Sequence, residues 1–250
     1  MWIDNQIRDL TAKNLDLLIT SKIPALEIPV FATAHECEQL KQALLSESCR
    51  GSSVPEVTRL GISQYQHGVR ESKAYYLALA ERASTLQSEI FAQSFDPNSR
   101  LISIFRGMGR DMDIMQENGK TYFAGCGKVR TGVSPIHVDF APQDSKDWGI
   151  GQAEVQLAWN LYLDTGSLPG DLILWDKMWQ PEDDKYQVED NYYYDKRIVS
   201  DLPENRFPVT VGSVILINAR NFHAVSDAKD RVTFGSFISV FEDGSMRLFS

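Results

Sequence analysis

The stretch Val155-Gln-Leu-Ala-Trp-Asn-Leu-Tyr-Leu163 alternates between two sets of residues, one of which is strongly apolar. Successive side chains of an extended strand point to opposite faces, so every second residue shares a face. The apolar face consists of Val155, Leu157, Trp159, Leu161 and Leu163. The stretch therefore predicts a β-strand with one face packed against a core.

Outward from this strand, the sequence after Pro97 consists of short apolar runs separated by turn residues. These further runs are Leu101–Phe105, Tyr122–Ala124, Leu172–Trp175, Val214–Ile217 and Val232–Phe241. Asn118-Gly119 is a strong signal for a hairpin turn. We therefore predict strands from Pro97 to the end of the chain.

The earlier part of the chain has a pattern that is typical of helices. Residues 4–22 have helix-like apolar spacing, and Thr33-Ala-His-Glu36 forms a capping box that predicts the start of a second helix. Residues 69–94 contain neither Gly nor Pro and predict the longest helix. We expect a short extended segment over residues 25–31 and a loop over residues 48–67.

Helices followed by strands predict a mainly β fold with N-terminal helices, in the α+β class. The arrangement suits a double-stranded β-helix, a jelly-roll with a cupin-like core, in which helices buttress one sheet. We expect a single domain over residues 1–250. Within it, residues 1–96 form a mainly helical buttress and residues 97–250 form the jelly-roll core that carries the site.

The composition is that of a globular protein, with 43% apolar and 24% charged residues. The formal charge is −9, from 25 basic and 34 acidic residues, which disfavours binding to nucleic acid or to an anionic membrane. Three cysteines without a C-x-x-C pair predict reduced thiols. We find no secretory signal and no apolar run of membrane-spanning length, so we expect a cytoplasmic location.

Two histidines and one aspartate form the main candidate site. His137 and Asp139 are two residues apart, so on a strand they point to one face about 7 Å apart. His223 must be brought to them by the fold. Imidazole and carboxylate together suit iron(II). Each histidine taken alone is more often structural, and His35 is expected to be a structural or surface residue, as is His67.

Arg231 follows His223 by eight residues and lies in an apolar run. A guanidinium binds a carboxylate through two parallel hydrogen bonds, and burying it without a charged partner is costly. One interpretation is an anchor for a dicarboxylate ligand. The other is a structural ion pair with an acid such as Asp227 or Asp230.

Over roughly residues 100–241, these features resemble the iron(II)- and 2-oxoglutarate-dependent oxygenases. The matching pieces are His137-Val-Asp139, Trp159-Asn-Leu-Tyr-Leu163, Pro169-Gly-Asp171 before Leu172–Trp175, His223 and Arg231-Val-Thr233. The resemblance implies iron(II) bound by His137, Asp139 and His223. It also implies 2-oxoglutarate held by Arg231 and Thr233, with dioxygen as the oxidant.

The resemblance extends to small-molecule hydroxylases and halogenases of this superfamily. Its halogenases have a small residue at the acidic ligand position, whereas this chain has Asp139, so oxygen insertion is expected rather than chlorination. The implied activity is hydroxylation of an unactivated C–H bond of a small molecule, such as an amino acid or a specialised metabolite. Desaturation, cyclisation, epimerisation, or a cupin-like metal-binding isomerase or binding protein remain alternatives.

Three aromatic residues near the ligand-bearing segments are candidates for binding the substrate, namely Trp159, Trp175 and Phe222. Residues 176–206 form a long polar insertion that is either a lid or a mobile surface. The sequence predicts neither the substrate nor the oligomeric state.

Overall fold

A computed structural model describes residues 1–46, 57–65 and 72–250, without the side chains of residues 57–60. Most of the predicted loop over residues 48–67 lies outside the described residues, as do His67, Cys49 and the start of the helix predicted over 69–94. Inside the described part of that loop, residues 57–60 form a strand, so the loop prediction is wrong there.

The helices and strands alternate along the chain more than the sequence indicated. The α-helices are α1 (Ala12–Ile19), α2 (Ala34–Ser46), α3 (Lys73–Ala92), α4 (Pro97–Gly107) and α5 (Ala141–Asp144). Short 3-10 helices span Gly149–Gln152, Pro181–Tyr186 and Lys196–Val199. The strands are β1 (Arg8–Asp9), β2 (Ala25–Ile28), β3 (Val57–Leu60), β4 (Met112–Ile114), β5 (Gln116–Glu117), β6 (Lys120–Thr121), β7 (Cys126–His137), β8 (Val155–Asp164), β9 (Leu172–Met178), β10 (Asn205–Phe207), β11 (Val214–Asn218), β12 (Asn221–Val240) and β13 (Met246–Phe249).

Strand β12 joins the two layers of the jelly-roll. Its first residues pair with β9, its last residues pair with β8 and β13, and it pairs along most of its length with β7. Register shifts between His223 and Arg231 bend the strand from one layer into the other. The result is the curled, mainly β jelly-roll that the sequence predicted.

The two faces of β8 have different partners, as its alternation predicted. Leu157, Trp159 and Leu161 are fully buried and belong to a core that also contains residues of α1, α2 and α4. Ala158 and Tyr162 belong to another cluster, on the opposite face of the strand. The helices therefore cover one face of β8, while the other face lies inside the jelly-roll.

Local signals for helix starts and turns are confirmed. Thr33 Oγ1 accepts the backbone N–H of Glu36 at 3.2 Å, and the Glu36 carboxylate accepts the backbone N–H of Thr33 at 2.8 Å, which is the predicted capping box. Asn118 and Gly119 have φ angles of 51° and 74° and connect β5 to β6 as a tight hairpin.

The predicted strand over Leu101–Phe105 is wrong, because these residues lie in helix α4. Asp96 caps this helix through the backbone N–H of Ser99, and Pro97 occupies its first turn, where its missing N–H costs nothing. The predicted strand over Tyr122–Ala124 is also wrong, since β6 ends at Thr121.

The predicted boundary between a helical buttress and a strand region at residues 96 and 97 needs correction for the same reason. Helix α4 lies beyond it, and β1, β2 and β3 lie before it. Strands from both ends of the chain join one sheet. Among the described residues, no helix is both long enough and apolar enough to cross a membrane.

Candidate metal centre and cavity

His137 and His223 are neighbours because they face each other across a strand pair. His137 is the last residue of β7, and its antiparallel partner in β12 is His223. Side chains of such partners are the closest across a sheet. The two imidazole rings accordingly lie 4.2 Å apart between centroids.

Asp139 completes the group from the segment that follows β7. Its backbone N–H donates to the carbonyl of Ala219 at 2.9 Å, which fixes the segment beside the start of β12. Asp139 Oδ2 lies 3.3 Å from Nε2 of His223 and 3.8 Å from Nε2 of His137. The three candidate ligand atoms lie within 4.8 Å of one another, so one ion with bonds of about 2 Å fits between them after small adjustments.

Both histidines are oriented by hydrogen bonds to the backbone. Nδ1 of His137 lies 2.7 Å from the carbonyl oxygen of Pro135, and Nδ1 of His223 lies 2.9 Å from that of Asn221. A carbonyl oxygen only accepts, so each Nδ1 carries the hydrogen and each Nε2 keeps its lone pair. This is the outer-shell contact that metal-binding histidines usually have.

The protonation states also suit a metal. Burial, and then the neighbouring imidazole of His223, lower the pKa of His137 to about 3, so it is neutral at neutral pH. Burial alone raises the pKa of Asp139, but the adjacent imidazoles of His223 and His137 outweigh it, so this pKa lies below its usual range. A neutral imidazole and an ionised carboxylate are the forms that bind a metal.

Arg231 is a buried cation that has no carboxylate partner in the described part of the chain. Its side chain is only 5% exposed, and its Nη1 donates to the carbonyl oxygens of Pro169 and Gly170, each at 3.2 Å. Its Nε has no hydrogen-bond partner among the described residues. Burial lowers the pKa of Arg231, and no acid in the described part of the chain offsets this. The alternative of an ion pair with Asp227 or Asp230 is therefore not what the structure contains.

The surroundings of Arg231 suit an anionic ligand. The guanidinium carbon lies 5.6 Å from the centre of the Tyr162 ring, and Thr233, which is also buried, is two residues further along β12. In the ladder, Arg231 is opposite Arg130, a residue of the cavity wall described next. A dicarboxylate placed here would satisfy the unpaired nitrogen and neutralise the buried charge.

A cavity with an accessible volume of about 210 Å³ opens beside the metal centre. One water molecule needs roughly 10–15 Å³ on this scale, so the cavity has room for a small molecule. Its wall includes His137 and Asp139, but neither Arg231 nor Thr233. The wall is mixed in character, with glutamines, serines, tyrosines and charged groups.

The three aromatic residues predicted to bind the substrate do not line this cavity. Trp159 is fully buried on the helix-covered face of β8, where its Nε1 donates to Ser236 at 2.7 Å. Trp175 and Phe222 belong to a buried cluster behind the wall. The prediction is corrected, because alternation along a strand buried on both faces does not show which face meets the cavity.

The insertion over residues 176–206 forms part of the cavity wall. Tyr193 pairs with His137 through an isolated β-bridge, and the Tyr192 ring packs edge-on against the His137 ring at 5.5 Å between centroids. Gln187, Tyr192 and Tyr194 line the cavity. The segment thus covers the metal centre, as one of its two predicted interpretations requires.

Sequence reasoning missed Gln156 and Asp144, which also line the cavity. Gln156 is one residue before Leu157, on the face of β8 that points away from the helices, so the same alternation contained the signal. Asp144 lies at the end of α5, a helix whose four residues show no periodicity. Burial, and then the carboxylates of Asp139 and Asp184, raise the pKa of Asp144 to about 6.

The jelly-roll and the His-Asp-His group with its buried arginine define an iron(II)- and 2-oxoglutarate-dependent oxygenase that uses dioxygen. Within that class, the chain belongs to the family described as carrier-protein-independent halogenase WelO5, whose model matches residues 3–249. The predicted superfamily, fold class and cofactors are confirmed.

Individual proteins agree with this assignment. A curated relative, leucinostatins biosynthesis cluster protein S from Purpureocillium lilacinum, is 29% identical over 220 residues, covering 83% of this chain and 89% of that protein. An N-substituted L-amino acid dioxygenase from Burkholderia ambifaria AMMD shares the fold, with a TM-score of 0.65, 15% identity, and coverage of 96% of this chain and 91% of that one. HygX from Streptomyces hygroscopicus, solved with nickel, 2-oxoglutarate and hygromycin B, has a TM-score of 0.50 and 15% identity over 91% of this chain and 86% of its own.

Proposed function

We propose that this oxygenase hydroxylates a C–H bond of a small molecule. His137, Asp139 and His223 would bind the iron, and Arg231 with Thr233 would bind 2-oxoglutarate. The observation that carries the proposal is the position of the Asp139 carboxylate, whose Oδ2 lies within 3.8 Å of Nε2 of both histidines. The protein thus offers three ligand groups on one side of an ion, which leaves the other side open.

The carboxylate also separates this chain from the chlorinating chemistry that its family description names. A halogenase needs a coordination position for chloride, which a small residue at the acidic position leaves open. Here Asp139 fills that position and is held by its backbone bond to Ala219. Oxygen insertion is the outcome that this ligand set supports.

The buried guanidinium of Arg231 supports the placement of the co-substrate. A 2-oxoglutarate carboxylate would bind its fork through parallel hydrogen bonds and would give Nε the acceptor that it lacks. Thr233 is close enough along β12 to add a hydroxyl donor. The proposal for Thr233 rests on this position alone.

When bound, iron, 2-oxoglutarate and dioxygen supply the oxidation, in which one oxygen atom enters the C–H bond and the other enters succinate, with release of carbon dioxide. The protein supplies ligation, orientation and exclusion of water. The Pro135 and Asn221 carbonyls hold the two histidine rings in position. Tyr192 covers His137 and restricts access of solvent from that side.

The names of the similar proteins support a small-molecule substrate. One relative belongs to a biosynthesis cluster for leucinostatins, and one structural neighbour is a dioxygenase of N-substituted L-amino acids. The mixed polarity of the cavity wall suits a compound with both polar and apolar parts. We propose an amino acid or a specialised metabolite as the substrate class.

The test has a binding step and a product step. Anaerobic calorimetry of the iron(II)-loaded protein should show one 2-oxoglutarate site. Loss of this binding in Arg231→Met would support a role for Arg231 in holding the co-substrate. Candidate amino acids and metabolites are then incubated with the enzyme, ¹⁸O₂ and excess chloride, and the product masses are measured by mass spectrometry. One added ¹⁸O supports the proposal. A chlorinated product, or loss of two hydrogens without added oxygen, refutes it.

A further inference from the structure

The cavity wall beside Asp139 contains a hydrogen-bond donor without a partner, the side-chain nitrogen of Gln156. This residue is 1% exposed, and its Oε1 accepts the backbone N–H of Ala141 at 2.8 Å. Only the oxygen of the amide can accept that N–H, so the orientation of the amide is fixed. Nε2 has no partner in the described part of the chain and is not closed off from the cavity that Gln156 lines.

The carboxylate of Asp144 lies on the same wall. It is exposed where it lines the cavity, and it makes no hydrogen bond or ion pair with any described residue. Burial, and then the nearby carboxylates of Asp139 and Asp184, raise its pKa, and no cation among the described residues opposes them. A positively charged ligand group would be a favourable partner for this carboxylate.

The short helix α5 connects the donor to the carboxylate. Ala141, which bonds to Gln156, is the first residue of α5, and Asp144 is the last. At 1.5 Å per residue, their backbones are about 5 Å apart. One small molecule can therefore contact both groups while the rest of it extends toward His137 and Asp139.

The other charges of the cavity do not take over this role. Lys128 and Arg130 line it from β7, and both already have interaction partners within the protein. Neither contributes to the shift in the pKa of Asp144. The wall formed by Gln156 and α5 is thus a separate polar surface. Gln143 of α5 also lines it and donates to Asp184 at 3.3 Å, which leaves the Gln156 donor and the Asp144 carboxylate without described partners.

This inference rests on the proposed function and narrows its substrate class. We propose that the substrate carries a protonated amine that binds Asp144 and, a few bonds away, a carbonyl or carboxylate oxygen that accepts the Nε2–H of Gln156. The class is an amino acid or an amino-acid derivative with a basic nitrogen. Asp144 and Gln156 are then specificity-determining residues that hold the polar end of the substrate.

The first experiment uses matched probes with the wild-type enzyme. Each set contains an L-α-amino acid, its N-acetyl form and its deamino form, and binding to the Ni(II)- and 2-oxoglutarate-loaded protein is measured by calorimetry without oxygen. The free-amine member should bind about 10- to 100-fold more tightly, as expected for hydrogen bonds to a charged group. Equal or tighter binding of the neutral members, or no binding of any free amine, overturns the proposal.

The second experiment assigns the preference to residues. Asp144→Asn should remove the preference for the amine, whereas Asp147→Asn, an exposed residue outside the cavity, should leave it unchanged. Gln156→Glu keeps an oxygen to accept the N–H of Ala141 but replaces the donor with an acceptor. The Gln156→Glu variant should therefore bind carboxylate-bearing probes at least about 10-fold more weakly. Preferences that stay as in the wild type in both variants contradict the assignment.

The controls separate this inference from the proposed function. Metal content and 2-oxoglutarate affinity should match the wild type in Asp144→Asn and in Gln156→Glu. If Asp144→Asn does not fold, Asp144→Ser is used in its place. Failure of the wild-type protein to bind 2-oxoglutarate would refute the proposed function itself. Normal 2-oxoglutarate binding without an amine preference would refute only the substrate class.

Discussion

Arg100 and Arg231 are cations in two regions of the molecule, and only Arg100 has a carboxylate partner among the described residues. In the helical layer, Arg100 donates to both oxygens of Glu36, at 2.6 and 3.2 Å, and to the carbonyl of Phe31 at 2.8 Å. Its guanidinium carbon also lies 4.1 Å from the centre of the Phe95 ring. The protein itself thus supplies this cation with a carboxylate partner.

Inside the jelly-roll, Arg231 is more buried and has fewer hydrogen-bond partners. It has two backbone carbonyls, one aromatic ring and an Nε without a partner. On the cavity wall, Nε2 of the buried Gln156 also has no hydrogen-bond partner among the described residues. Since buried polar groups are normally satisfied, the unpaired Nε of Arg231 and the unpaired Nε2 of Gln156 indicate that ligands complete this part of the interior.

The largest effect is expected at the metal centre. His223→Ala should abolish metal binding and succinate formation, because only His137 and Asp139 would remain as ligands. The fold should persist, since the ring lies against the cavity region and not in the helix-covered core. Metal analysis, succinate assay and circular dichroism measure these three properties. His35→Ala, on the exposed face of α2, is the matched control, and a metal-replete His223→Ala protein would show that the ligand assignment is wrong.

The comparison of the two arginines is tested directly by replacing each with methionine. Arg231→Met should raise the Kd for 2-oxoglutarate by about 100-fold, because a bidentate, charge-assisted pair is lost. Arg100→Met should leave that Kd unchanged. Calorimetry of the metal-loaded variants measures both constants.

In thermal unfolding, the two variants should show the reverse order of effects. Without ligand, Arg100→Met lowers the Tm, whereas Arg231→Met changes it little, because it removes a buried charge that has no acidic partner. At 100 times its Kd, 2-oxoglutarate should stabilise the wild type by about 2.7 kcal/mol, or roughly 5–10 °C in Tm, and this shift should disappear in Arg231→Met. A ligand-free Arg231→Met protein that is as unstable as Arg100→Met would assign Arg231 a structural role.

Local sequence signals predicted the local structure well. The alternation over residues 155–163 gave β8 and its core face, and the Thr33–Glu36 capping box gave the start of α2. The Leu101–Phe105 run was misread because five apolar-rich residues fit a strand and a helix equally. The Asp96-Pro97 cap before it contained the information that decides between them.

The site was predictable only as far as chemistry is visible in residue types. The His-x-Asp spacing and the later histidine indicated a metal, and the structure brings these residues together. The cavity wall was not predictable, because it depends on how β7, β8 and α5 meet. Trp159 shows the consequence. Its size suggested a substrate contact, but it lies on the face of β8 that packs against the helices.

Trp159→Phe tests that corrected role. The variant loses the hydrogen bond from Nε1 to Ser236 and part of the packing against Phe31 and Phe234. We expect the free energy of unfolding to fall by about 1–2 kcal/mol, with 2-oxoglutarate affinity unchanged. Gln156→Glu, on the other face of β8, should also leave 2-oxoglutarate affinity unchanged but should weaken the binding of carboxylate-bearing probes. A changed affinity for the amino-acid probes in Trp159→Phe, at unchanged stability, would show instead that this residue contacts the substrate.

The smallest effect is expected at the paired charge of the helical layer. The hydrogen bond from Arg100 and those from Thr33 lower the pKa of Glu36 to about 2, against an ordinary value of 4.5. A lowered pKa means that the ionised form stabilises the fold above pH 4.5 and that this contribution is lost as the pH falls from about 4.5 toward 2. Glu36→Gln should therefore be less stable than the wild type by about 1 kcal/mol at pH 7, with a difference that shrinks by pH 3.5 in urea unfolding. Arg231 has no such acidic partner, so Arg231→Met should show no matching pH dependence without ligand, and finding one would remove the contrast between the two regions.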